Sequence, residues 1–246
     1  MRLLVAALIA AATLASAAQA DEEKGALLPF VGCAQYETWG SPPLAEGHVR
    51  RALHVDPAYA GRLAWYESDS NTNVVAPRGW HCLEVRDSDH DSTFIVSEQP
   101  YSLADFQARK PVSGPAVVSL SISDVGAKHQ VIARVVSRYF RKDFAQWLRH
   151  SGVGRLAPYP NDALVGRNAI NQAVAYETPA NRTGLGTEDI LAPGPLPIVS
   201  GVHFPTDEEG NPAELMKLEI RLPLGSQDLL KPLFEQDSGL ILPAKP

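Results

Sequence analysis

The sequence has few of the features from which a function is normally inferred. Only two cysteines occur in 246 residues, which excludes a disulfide-dense scaffold and a cysteine-rich metal site. After residue 20 no segment approaches the length of about 20 apolar residues that a spanning helix requires. The formal net charge is −6. A nucleic-acid-binding domain needs a basic surface, so this balance argues against nucleic acid as a partner.

Recognisable catalytic motifs are also missing. The chain has no Gly-x-Ser-x-Gly and no Ser-x-x-Lys, two motifs that carry a nucleophilic serine in hydrolases. The stretch Gly-Leu-Gly-Thr at 184–187 lacks the third glycine of a dinucleotide-binding loop and the lysine of a P-loop. A catalytic triad can be assembled from distant residues. An exported hydrolase that uses His81 as general base, with Asp87 or Asp89 orienting it, is therefore the alternative function.

The N-terminal segment is typical of a secretory signal peptide. Arg2 precedes an apolar run from Leu3 to Leu14, and Ala18-Gln19-Ala20 is a small-residue cleavage sequence. We expect residues 1–20 to be removed and residues 21–246 to form a single domain in the periplasm or outside the cell. No membrane span is expected after cleavage. An uncleaved N-terminal anchor is the alternative.

The two cysteines, Cys33 and Cys82, are predicted to form one disulfide, because an exported chain meets an oxidising environment. Closing a loop of about 50 residues removes denatured-state entropy worth about 4 kcal/mol. Two free thiols or an intermolecular bridge are the alternatives. Cys82 directly follows the turn sequence Pro77-Arg78-Gly79 and the side chains of Trp80 and His81.

Hydrophobic periodicity predicts an α+β fold in which a mostly antiparallel sheet packs against one long helix, about 124–150. Alternating apolar residues predict strands at 80–86, 93–97, 117–122, 198–204 and 216–222, and the first two of these form a hairpin. The helix is predicted from an apolar face formed by Ile132, Val135, Val136, Tyr139 and Phe140. Alternate prolines at 193, 195 and 197 are typical of an extended linker over 192–197.

Calcium is the sharpest metal hypothesis that the sequence offers, and no cofactor is expected. Asp87, Asp89 and Asp91 alternate, and Glu98 stands where an EF-hand loop places its bidentate carboxylate. However, Ser92 occupies the position at which that loop needs glycine, and the flanking segments are typical of strands. A solvated acidic hairpin turn is the alternative interpretation.

Two motifs together resemble those of a group of uncharacterised proteins exported by proteobacteria. The first is Ala-Pro-Arg-Gly-Trp-His-Cys at 76–82, and the second runs from Tyr-Glu-Thr-Pro-Ala-Asn at 176–181 to Gly-Leu-Gly-Thr at 184–187. The basic helix predicted after Ser123 accompanies them. The resemblance covers about the middle half of the chain. It implies export and a shared fold, and it implies no activity.

These motifs supply a candidate binding surface of amides, one carboxylate, one guanidinium and aromatic rings, a combination that suits a polar ligand. Its residues are Arg78, Trp80, His81, Glu177, Thr178, Asn181, Thr183, Gly184, Gly186 and Thr187. The predicted function is therefore that of an exported, non-enzymatic protein that binds a small ligand or an envelope partner. No oligomeric state is predicted.

Overall fold

The structure is a computed structural model that describes residues 25–37, 40–45, 52–87, 91–123, 129–151, 161–168 and 172–236. The predicted signal peptide lies outside the described residues. The strands are β1 Ala26–Leu27, β2 Phe30–Gly32, β3 Ala34–Tyr36, β4 Gly40–Ser41, β5 His54–Val55, β6 Leu63–Glu67, β7 Asn73–Pro77, β8 His81–Arg86, β9 Ser92–Ser97, β10 Ala116–Ser123, β11 Ala163–Asn168, β12 Ala173–Thr178, β13 Ile198–His203 and β14 Glu214–Arg221. The helices are α1 Pro57–Ala60, α2 Leu103–Gln107, α3 His129–Tyr139, α4 Ala145–His150 and α5 Leu230–Gln236.

A nine-stranded mixed sheet, in the order β11-β12-β13-β14-β10-β9-β8-β3-β4, forms the centre of the fold. Its strands pair antiparallel except for β3 and β8, which are parallel. A second sheet has the order β2-β6-β7, and β2 and β6 are parallel in it. The predicted hairpin is confirmed as β8 and β9, which pair along their whole length from His81–Ser97 to Arg86–Ser92.

The two faces of the large sheet are covered by different elements. Alternate residues of a strand point to opposite faces. The face that packs against the small sheet and α5 is called the first face. Val96, Val117 and Ile220 lie on it, in the hydrophobic core between the two sheets. The second face packs against α3 and α4 at one end, and near β8 and β9 against α2 and the segment around Leu191.

The disulfide between Cys33 and Cys82 is confirmed, with the two Cα atoms 5.5 Å apart. Cys33 lies between β2 of the small sheet and β3 of the large sheet, while Cys82 belongs to β8. The bond therefore holds the chain where it passes from one sheet to the other, and Cys33 is almost completely buried in the core between them.

The predicted fold class is wrong, because the described chain is mostly β and contains no long helix. Residues 124–128 lie outside the described residues, and the remainder of the predicted helix is divided into α3, of 11 residues, and α4, of 6 residues. No glycine or proline causes the break. Instead, Phe140 and Phe144 at the intervening turn both pack edge-on against Phe204. The β-branched residues of α3 also lower its intrinsic helix propensity.

The segment 192–197, for which an extended linker is predicted, is held against β14 of the large sheet at Ala192. The buried guanidinium of Arg221 donates hydrogen bonds to the carbonyl of Ala192 and, on the other side, to the carbonyl of Ser113 at 3.1 Å. Ala192 N also donates to Val112 O at 2.9 Å. Within the described residues, no helix combines the length and the apolar character that crossing a membrane would require.

Candidate functional site

The predicted binding surface is divided into two parts by the strand order. His81 is at the start of β8 and Thr178 is at the end of β12, and four strands lie between these two. Five spacings between neighbouring strands correspond to about 24 Å. Arg78, Trp80 and His81 therefore do not meet the loop that follows Glu177, although both groups lie at the same end of the sheet.

The loop that follows β12 uses its backbone amides internally. Leu185 N donates to Asp162 Oδ2 at 2.9 Å, and Gly186 N donates to Thr178 Oγ1 at 3.1 Å. Thr178 Oγ1 in turn donates to Asp162 Oδ1 at 2.5 Å. Gly184 N donates to a side chain of the same loop, Thr187 Oγ1, at 3.0 Å. These three backbone amides are thus already used by groups of the protein.

The other predicted residues of this loop also have structural roles or point elsewhere. Asn181 has a positive φ of 58° and donates its backbone N–H to Gly194 O at 2.6 Å. Thr183 is exposed, and its carbonyl accepts a hydrogen bond from Asn161. Glu177 precedes Thr178 in β12 and so points to the opposite face of the sheet.

The residues around the disulfide do not form the predicted catalytic pair. Trp80 N donates to Tyr66 Oη at 3.0 Å, and the Trp80 side chain packs on the core between the two sheets. His81 is exposed at the first position of β8, whereas Asp87 follows its last position. Six residues of strand span about 20 Å, so Asp87 does not orient His81. Asp89 lies outside the described residues.

Of the candidate calcium ligands that the structure describes, Asp87 and Asp91 lie together and Glu98 lies apart from them. Asp87 Oδ1 accepts a hydrogen bond from Asp91 N at 3.2 Å, and Asp91 Oδ1 accepts one from Ser123 N at 2.8 Å. Glu98 follows the other end of β9, about 20 Å from Asp91 at the rise of an extended strand. The described residues contain no group of three side chains positioned to hold a metal ion.

A cleft of about 410 Å³, which we call the aromatic cleft, opens beside the second face of the large sheet. Tyr36 of β3 and Val85 of β8, which are register partners, contribute to its lining from the sheet. Tyr101 and Phe106 line it from the α2 side, and both rings are only partly buried. A partly exposed arrangement of rings with several polar side chains is the usual composition of a ligand pocket.

The cleft is bordered by an arginine in an unfavourable backbone conformation. Arg109 follows α2 with a φ of 52°, the left-handed region that normally selects glycine. Arg109 N donates to Phe106 O and Lys110 N donates to Asp105 O, both at 2.9 Å, which is the Schellman arrangement of a helix C-terminus. A bulky residue at that position costs about 1–2 kcal/mol. Strained residues of this kind concentrate at functional sites.

The segment that holds Arg109 is otherwise firmly tied down. The side chain of Ser102 and that of Asp105 form a capping box at the start of α2. Asp105 also pairs with Lys110 at 3.0 Å, and Tyr101 Oη donates to Lys110 O at 2.5 Å. These contacts hold the aromatic wall and the arginine in one relative position before any ligand arrives.

At its inner end the aromatic cleft reaches a buried ion cluster on the second face. Asp189 lines the cleft and lies 2.8 Å from the ammonium nitrogen of Lys217, whose side chain is 1% exposed. Glu219 Oε1 lies 2.5 Å from the same nitrogen, and Lys217 also donates to Leu185 O at 2.6 Å. The ammonium group therefore joins β14 to the segment that covers it.

Burial controls the protonation of this cluster. It raises the pKa of Glu219 to about 7, and the attraction of Lys217 offsets only part of that rise. Burial alone would lower the pKa of Lys217, but Asp189 and Glu219 outweigh it and hold that pKa well above its usual range. Removing charges from water is expensive unless they are paired, and here the ammonium group of Lys217 pairs with both carboxylates.

Comparison with family models, with characterised proteins and with solved structures finds no match to this chain. Tyr36, Tyr101, Phe106 and Arg109 are not among the residues that the sequence motifs predicted. Tyr36 lies on β3, and the other three lie in the segment around α2.

Proposed function

We propose that the protein is an exported, non-enzymatic binding protein that takes a neutral, hydroxyl-rich ligand, with a sugar ring as the fitting class, in the aromatic cleft. The observation that carries the proposal is the combination of three partly exposed rings with a strained arginine around one opening. The disulfide supports export, because such bonds persist in oxidising compartments.

The chemistry of the cleft suits a ligand with one apolar face and a polar edge. Aromatic rings provide a large apolar surface at a small cost in side-chain entropy, and they can receive the C–H face of a sugar ring. Gln107 and Arg109 at the rim supply hydrogen-bond donors for its hydroxyl groups. The charged lining residues balance, with Arg109 and Lys110 against Glu37 and Asp189, which favours a neutral ligand.

The proposal is tested by calorimetric titration of the mature protein with a set of neutral sugars that includes glucose, galactose, N-acetylglucosamine and cellobiose. We expect at least one of them to bind, and Tyr36→Ala and Arg109→Asn each to weaken that binding by about tenfold or more. Melting temperatures of both variants establish that they are folded.

Arg182→Asn is the matched control, because Arg182 is exposed and lies in the loop after β12, outside the aromatic cleft. This variant should bind as the wild type does. Loss of binding in Arg182→Asn with retention in Arg109→Asn would instead place the ligand at the loop 177–187. Absence of binding by every sugar in the set would refute the neutral-sugar proposal.

A further inference from the structure

A second cleft, of about 400 Å³, lies on the first face of the large sheet, on the opposite side from the aromatic cleft. We call it the serine groove. Its sheet wall includes Arg86, Ser92, Ser119 and Ser121, and its facing wall includes Asn71 from the turn before β7 and Gln236 at the end of α5. None of these residues belongs to the aromatic cleft.

The strand register places the polar side chains of the sheet wall next to one another. Arg86 pairs with Ser92, and Ser92 pairs with Ser121, so these three residues form one row across β8, β9 and β10. Directly opposed residues have Cβ atoms about 5 Å apart and share a face. Ser119 lies two residues along β10 on the same face. The row thus presents a guanidinium beside a series of hydroxyl groups.

This polar composition is unusual for a surface between two sheets. Elsewhere the first face presents Phe94, Val96 and Val117 to the small sheet, and all three are fully buried. Ser92 is 7% exposed although it lines the groove. A contact that served packing alone would gain from apolar residues here, because burying hydroxyl groups costs free energy unless they are hydrogen-bonded.

Among the described residues that line the groove, Arg86 is the only one with a charged side chain. Its Nε atom is buried and has no hydrogen-bond partner among the described residues, and the nearest carboxylate oxygen paired with it, Glu37 Oε1, is 3.9 Å away. The hydroxyl group of Ser121 already donates to Glu214, so Ser121 can accept a hydrogen bond from a ligand. The groove therefore offers a cationic donor at one end of the row and a hydroxyl acceptor at the other.

A buried carboxylate behind the wall orients a further hydroxyl group. Glu84 is fully buried and accepts hydrogen bonds from Ser68 and, at 2.6 Å, from Ser70, which lines the groove. Ser70 Oγ also accepts from Thr72 N at 3.3 Å. The hydroxyl of Ser70 is thereby fixed, and the negative charge of Glu84 stays outside the groove lining.

We infer that the serine groove is a binding site for a hydroxylated carboxylate, with sugar acids as the fitting class. Arg86 takes the carboxylate, because a guanidinium donates to carboxylate oxygens through paired N–H groups. The hydroxyl groups of Ser119 and Ser121 and the amides of Asn71 and Gln236 take the ligand hydroxyls. The two sites have no lining residue in common and differ in charge, although the carboxylate paired with Arg86 at 3.9 Å, that of Glu37, lines the aromatic cleft.

Calorimetric titration with glucuronate, glucose and acetate tests the inference, because glucuronate differs from glucose only in its carboxylate and acetate lacks the hydroxyl groups. We expect glucuronate to bind and an excess of glucose to leave its affinity unchanged. Arg86→Gln should weaken glucuronate binding by about 10- to 100-fold, the loss typical of a hydrogen bond to a charged group. Arg109→Asn, which alters only the aromatic cleft, should bind glucuronate as the wild type does.

Ser119→Leu provides a second perturbation that fills the groove and leaves Arg86 in place. It should also weaken glucuronate binding, and its melting temperature shows whether it is folded. The inference is overturned if glucuronate does not bind, if acetate binds as tightly as glucuronate, or if folded Arg86→Gln binds normally. It is also overturned if Arg109→Asn abolishes binding, because the anion would then occupy the aromatic cleft.

Discussion

Replacing Arg109 should change stability and ligand binding in opposite directions. Arg109 is exposed, has a φ of 52° and occupies the glycine position of a Schellman helix end. If the arginine side chain serves ligand binding at the cost of a strained backbone, removing the side chain should make the free protein more stable. The same change should reduce binding in the aromatic cleft.

The expected gain can be worked out for Arg109→Gly. Relief of the left-handed conformation returns about 1–2 kcal/mol. Glycine also gives the unfolded chain more freedom, which costs about 0.5–1 kcal/mol. The net effect is a stabilisation of about 0.5–1 kcal/mol. For a domain of this size such a gain raises the melting temperature by about 1–4 °C.

Chemical denaturation, with melting curves in support, measures this change, and Ala108→Gly is the matched control. Ala108 is the adjacent residue and has an ordinary φ of −75°, so glycine there has no strain to relieve and should destabilise the protein by about 0.5–1 kcal/mol. The two neighbouring glycine substitutions should therefore change the free energy of unfolding in opposite directions. If Arg109→Gly destabilises the protein as much as Ala108→Gly does, the arginine is not strained and the reasoning fails.

Two further predictions concern the disulfide and the buried ion cluster. Cys82→Ser should lower the free energy of unfolding by about 2–5 kcal/mol and leave one reactive thiol at Cys33, and detection of two reactive thiols in the native wild type would contradict the bond. Glu219 has a folded pKa of about 7 against an ordinary value of 4.5, so its contribution to stability is full below pH 4.5 and is lost as the pH rises through 7. Glu219→Gln removes this dependence, and its stability relative to the wild type should rise by about 2–3 kcal/mol between pH 5 and pH 8 in urea titrations. Parallel pH profiles for the two proteins would show that Glu219 titrates normally.

The predicted long helix does not form, and the reason is contacts with other elements of the fold. The apolar positions of 132–140 do lie on one buried face of α3 and the following turn, as the spacing indicated. Periodicity alone gave no reason for the helix to end after Tyr139. The end is instead marked by contacts with other elements, because Phe140 and Phe144 pack on Phe204, and Asp143 pairs with Arg167 of β11.

In strand β14 the alternation of residue types likewise does not indicate which side chains are buried. Leu218 and Ile220 alternate with Lys217, Glu219 and Arg221, a pattern typical of a strand with one apolar and one solvated face. In the structure both faces are covered, and all three charged residues are at most 3% exposed. Alternation shows which residues share a face, but it does not show what packs on that face.

What the sequence determined by itself was local or covalent: the β8–β9 hairpin, the side-chain alternation along the strands, and one pair of cysteines available to join. Each of these depends on neighbours in the chain or on there being a single pairing to choose. Tertiary structure alone decided the strand order, which put about 24 Å between the two halves of the predicted binding surface. Packing of the segment around α2 against the second face brought Phe106 and Arg109 to the same opening as Tyr36 of β3, because convergence of side chains from separate elements depends on how the sheets and helices pack.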